Sequence, residues 1–145
     1  MTNRYLGIYL NDHLAGAVGG AELARRVISA EKEGAGAEFM VVFLQDIEED
    51  RRELEALMDR LGIVRNPIKT RAAWAAEKVG RLKLNGRLLR RSPLSLLEEL
   101  EVLQLGVEGK LAMWRALREL QVRDDRFRDL DLQRLIDRAT KQRDE

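Results

Sequence analysis

Between residues 40 and 61, Met40, Phe43, Ile47, Leu54, Leu57 and Leu61 recur at alternating three- and four-residue intervals, and Asp50 holds one place in the same series. Only an α-helix brings such positions onto one face, and that face must be covered by another element. The same rhythm runs through Leu6, Leu10, His13, Ala17, Gly20, Ala24 and Val27, through Ile68, Ala72, Ala75, Val79 and Leu82, and through Leu96, Leu100, Leu103, Val107, Leu111 and Trp114. Four such seams predict four long helices lying alongside one another.

The punctuation between the seams agrees. Gly34-Ala35-Gly36, Gly62 and Asn85-Gly86 are helix stops, and Asn66-Pro67 and Ser92-Pro93 each place a capping side chain before a proline at the first helical position. Helices are therefore predicted over about 5–33, 37–61, 67–85 and 93–120, with connections short enough to impose antiparallel up-down-up-down order. Asp131 caps an additional short C-terminal helix over 132–143, with Leu132, Leu135, Ile136 and Ala139 on one face, after a charged connection at 122–131. A second apolar stripe on the fourth helix (Leu94, Leu105, Ala112 and Leu120) calls for cover on a second side, which the short helix is expected to give. In the first helix Gly16, Gly19 and Gly20 each cost about 1 kcal/mol in an isolated helix, so a close helix contact is expected to offset them.

With 145 residues, no repeat and no linker, the chain is expected to form a single domain over 1–145. The absence of cysteine excludes disulfides and thiolate chemistry, and the single histidine excludes paired-histidine metal motifs within one chain. No stretch approaches the ~20 apolar residues of a membrane span, and the start lacks a signal-peptide pattern, so a soluble, cytoplasmic protein is expected. The net charge of +1 conceals an uneven distribution: residues 38–61 carry a balance of −5 and residues 65–91 a balance of +8. In an up-down-up-down bundle these segments are neighbours and neutralise each other. The net charge near zero, with Trp74 the one aromatic among the bases of 65–91, argues against nucleic acid as a partner.

His13 and Asp50 stand out because each occupies an apolar seam, and a buried charge must be paired or protonated. A hydrogen bond from a neighbouring helix, from Arg or Trp, satisfies that need. A metal or ligand site is the alternative, with Glu101 and Glu108 bordering the fourth seam, Gln104 closer to the core, and His13, Asp50 and Glu108 as the metal set. Turn-to-turn counting puts His13 and Asp50 about 10 Å apart along the axis, so they need a third residue to form one site. Arg87, Arg90 and Arg91, just before the helix start at Ser92-Pro93, form a candidate anion site, although Pro93 removes one donor.

The wording Tyr9-Leu10-Asn11-Asp12-His13-Leu14-Ala15-Gly16, followed later by Leu105-Gly106-Val107-Glu108-Gly109-Lys110, resembles small uncharacterised bacterial proteins of the ferritin-like class. The resemblance implies an antiparallel helical bundle. The iron site of that class takes a Glu from each of two helices and Glu-x-x-His from each of the others. Here Asp50-Arg51-Arg52-Glu53 and Glu101-Val102-Leu103-Gln104 keep the spacing without the histidines.

Two functions are compatible with this pattern. The first is a non-catalytic bundle that associates with itself, as a homodimer, or with a protein partner, and requires no cofactor. The second is a degenerate ferritin-like protein holding a metal or small ligand in the bundle core. No nucleophile–base pair supports an enzyme.

Overall fold

The computed structural model describes residues 3–31, 35–66 and 93–145. Within them the protein is all-α: α1 (Asn3–Glu31), α2 (Ala35–Arg60), α3 (Pro93–Gln121) and α4 (Leu132–Asp144), with a one-turn 3-10 helix at Asp125–Phe127. The helix expected over 67–85 lies outside the described residues, as do Arg87, Arg90 and Arg91. No described helix is long and apolar enough to cross a membrane.

Local chemistry sets the boundaries. Gly62 has φ of +65°, a conformation that glycine adopts without steric cost. Its N–H donates to Asp59 O at 3.1 Å and the Ile63 N–H to Met58 O at 2.9 Å, closing α2 with a Schellman motif. Met58 and Ile63 are both buried in the same apolar cluster, the hydrophobic contact that accompanies this motif. At α4 the Asp131 carboxylate accepts from the Arg134 N–H at 3.1 Å, the predicted cap.

The packing has a defined order. α1 lies directly against α2 and α3, whereas no Cα pair from α2 and α3 comes within 8 Å. α4 fills the corner between these two, mainly against α3. The apolar interior forms two clusters. One gathers Leu6, Leu10, Leu54, Met58, Trp114, Phe127, Leu135 and their neighbours from all four helices and the 3-10 turn. The other gathers Ala24, Val27, Met40, Phe43, Ile47, Leu103 and Val107 from α1, α2 and α3 alone.

The predicted α2 seam is buried along its whole length, Asp50 included. Three other expectations are corrected. In α1 the middle of the buried stripe passes through Leu14 and Ala21 rather than Ala17 and Gly20, while Leu6, Leu10, Ala24 and Val27 are buried as the seam predicts and His13 is half-buried, in keeping with a seam position. A Cβ built on Gly16 or Gly20 meets nothing within 4 Å, so neither glycine sits at a close helix contact. In α3 the second stripe holds only at Leu120, which packs on the first cluster: Leu105 is 70% exposed, Leu94 and Ala112 are exposed, and α4 covers the Trp114 and Leu117 side.

The connection 122–131 is more than a charged tether. Phe127 is fully buried, and the Gln121 side-chain amide donates to the carbonyls of Phe127 (2.8 Å), Arg128 (3.2 Å) and Leu130 (2.9 Å). A charged sequence therefore hides one apolar anchor and one amide clamp.

Candidate functional site

Between the two apolar clusters the interior is crossed by ions. Asp50, 3% exposed on α2, receives two N–H groups from Arg138 of α4 on Oδ1, with Nε at 2.8 Å. Lys110 of α3 lies 2.5 Å from its Oδ2 and also donates to Gln142 Oε1 of α4. Arg138 reaches on to Glu49 at 2.7 Å. One carboxylate thus joins three helices, and both of its oxygens meet a cation. This is the donor that the sequence demanded for Asp50, supplied by an arginine as expected and by a lysine in addition.

The position of each group follows from its helix. Asp50 continues the α2 seam between Ile47 and Leu54. Lys110 lies three residues after Val107 and four before Trp114, a seam position of α3. Gln142 lies seven residues after Leu135 on the buried face of α4. Arg138 flanks that face and uses its length to reach Asp50.

Titration follows burial and charge. Burial pushes the Lys110 ammonium below its ordinary value, and Asp50 works against that shift. Burial acts against the Arg138 charge as well, but Asp50 and Glu49 raise it above the usual guanidinium value. Asp46, one turn before Asp50, is raised, mainly by burial, with Asp50 adding to the rise and Arg138, Lys110 and Lys141 opposing it. Glu49 is lowered, first by its hydrogen bond with Arg138. Gln142 Nε2 and Trp114 Nε1 are buried with no hydrogen-bond partner among the described residues.

The other residues singled out from sequence lie apart from this cluster. His13 is half-buried, with its ring edge-on to Tyr9 at 4.7 Å between centroids and 72° between planes. Burial lowers its pKa, and Asp12 opposes the shift. Glu101 and Glu108 are exposed, and Glu108 lies 3.9 Å from Arg143. Gln104, expected near the core, is exposed, because the buried face of α3 runs through Leu103 and Val107. Among the described residues no three His, Cys, Asp or Glu side chains are grouped to hold a metal ion, so His13, Asp50 and Glu108 do not converge.

Asn11 is a buried polar group that the seams did not reveal. Its amide donates to Gly7 O at 2.8 Å and Val64 O at 3.1 Å, and its Oδ1 accepts from the Asn66 N–H at 2.8 Å. It fastens the chain leaving α2 onto α1, beside an open groove of about 660 Å³. Arg65, on the groove wall, is taken by Asp59 at 2.8 and 2.9 Å.

The acids of α2 find bases on other described helices. Arg25 of α1 meets Glu48, while Arg134 of α4 meets Glu53 at 2.5 Å and Glu49 at 3.6 Å. On the other side of α1, Arg26 holds the buried Glu99 of α3 at 2.8 Å. The arrangement positions charge and locks helices. Compared with known protein families, curated proteins and solved structures, the chain matches none of them.

Proposed function

We propose that this chain is a non-catalytic helical-bundle protein that works by association, with a second copy or with a protein partner. One observation carries the reading: large apolar side chains are exposed on the half of the bundle beyond the end of α4. Val42 is 53% exposed and Phe39 39% on α2, and Leu94, Leu97, Leu100 and Leu105 are exposed on α3. With Val41 these make seven of the eleven large apolar side chains exposed among the described residues, Tyr5, Ile8, Val64 and Val122 lying at the other end, and a concentration of this kind is typical of interaction sites. Phe39, Val42 and Asp46 stand at seven-residue multiples from Glu53 and Glu49, the residues facing α4, so they continue the same face of α2. The net charge of +1 leaves little self-repulsion to oppose association.

The ferritin-like likeness contributes at the level of architecture only. Asn11 donates to Val64 O at 3.1 Å and Arg25 meets Glu48, a pairing that supports antiparallel order for α1 and α2. The residues do not fit an iron site: Asp50 already binds two cations, and Glu108 is exposed beside Arg143.

Sedimentation of the purified chain over a range of concentrations tests the proposal. Association is expected, and Val42→Lys with Leu105→Lys is expected to weaken it by about tenfold or more, because each side chain is removed from a surface rather than a core. A chain that stays monomeric and binds no protein partner, or association indifferent to both lysines, would refute it.

A further inference from the structure

We propose that the corner between α2 and α3 is a helix-accepting groove, occupied here by the chain's own α4 and equally able to take α4 of a second copy. The occupant is identified by what sits there. α4 presents Leu132, Leu135, Ile136 and Ala139 at positions i, i+3, i+4 and i+7, the anchor spacing of an amphipathic helix laid in a groove. The groove wall from α3 carries Leu111, Trp114 and Leu117, and the wall from α2 carries Leu54 and Met58.

The polar contacts set the register. Arg138 reaches Asp50 and Glu49, Gln142 accepts from Lys110, and Arg134 reaches Glu53. These contacts are spaced along α4 by one turn, so a one-turn shift either sets Gln142 against Asp50, leaving it without a guanidinium, or sets Arg138 against the Lys110 ammonium. An uncompensated buried carboxylate is costly, so the groove selects this sequence in this register.

The attachment of α4 is one-sided. Its backbone lies along α3, and it meets α2 chiefly through ion pairs. The preceding connection is fastened to the body of the bundle by Phe127 and by the Gln121 clamp as far as Leu130. A pivot at Asp131 therefore frees the helix without unravelling the turn before it. With 13 residues, α4 is too short to be stable alone in water, so its helicity depends on docking. The tether gives α4 of the same chain an effective concentration of order millimolar, so a second copy enters only when the internal helix is weakened. This surface differs from the exposed residues invoked for association, and the two ideas fail separately.

The test uses the full chain with a labelled synthetic peptide of residues 131–145. In the unmodified chain, amide hydrogen exchange is expected to be faster in α4 than at the seam residues of α2. The Arg138→Ala chain is expected to bind the unmodified peptide about tenfold or more tightly than the unmodified chain does, because its internal competitor has lost the key contact. A peptide carrying Arg138→Ala is expected to lose that gain. Should Arg138→Ala fail to fold, Gln142→Ala replaces it, and the exchange measurement needs no variant. Exchange of α4 only together with the whole bundle, or equal peptide binding by the two chains, overturns the proposal.

Discussion

The two halves of this bundle share three helices and differ in what occupies the corner between α2 and α3. In the half that α4 covers, Trp114, Leu111, Leu117 and Phe127 are removed from water almost completely. In the other half, Phe43 and Ile47 are each 8% exposed, and Phe39, Val42 and Leu100 lie open to solvent. The boundary is ionic: Asp50, Lys110, Arg138 and Gln142 meet where α4 approaches its end. A short amphipathic helix thus adds a further wall to one half, while the seam itself is buried in both.

The sharpest way to break this comparison is to truncate one large side chain in each half. Trp114→Ala is expected to cost about 3–5 kcal/mol, because a fully enclosed cavity cannot collapse. Phe43→Ala is expected to cost about 2–3 kcal/mol, since its ring is smaller than that of Trp114 and retains 8% exposure. Urea unfolding of both variants measures the difference. Equal losses would show that the half beyond α4 is packed as fully as the other.

Next in size is the boundary itself. Asp50→Ala leaves Lys110 and Arg138 as facing buried cations and is expected to cost about 3 kcal/mol. Replacing both cations as well, Lys110→Met with Arg138→Leu, is expected to restore much of that loss, since apolar groups of similar volume serve a core at least as well as ions. Denaturant midpoints of the single and triple variants decide it. If Asp50→Ala behaves like Glu22→Ala, whose side chain is exposed, the ionic cluster does not hold the halves together.

Much of this was legible in the sequence, and the failures have identifiable causes. The α2 seam and the caps at Gly62 and Asp131 could be read from spacing and residue type because both rules act within one helix. Asp50 could be read as a buried acid in need of a donor for the same reason. Lys110 and Gln142 also stand at seam positions, and counting from Leu111 rather than Lys110 concealed the first of them. Arg138 left no such signal: its Cα is off the seam, and its reach comes from side-chain length. Phe127 was hidden because a single buried anchor in a charged loop has no periodicity. His13 is partly buried, as its seam position predicts, but the count did not show that Leu14 takes the inner place beside it.

His13 gives the smallest effect and the cleanest readout, since it is the one histidine of the chain. It stands at the edge of the covered half, against Tyr9, which packs on the larger cluster. Burial lowers its pKa below the 6.5 of a free side chain, with Asp12 resisting. The folded protein therefore holds fewer protons there than the unfolded chain once the pH falls through 6.5. Stability drops with acidification between that value and the lower folded value, and levels off below it. A titration of the imidazole ring signals should give a midpoint under 6.5, and the urea midpoint should fall between pH 7.5 and 5.5. His13→Gln, neutral throughout, should lose that part of the fall and keep whatever the carboxylates contribute. A midpoint at or above 6.5 would mean that burial does not outweigh the Asp12 charge, and the covered half would then end one turn short of His13.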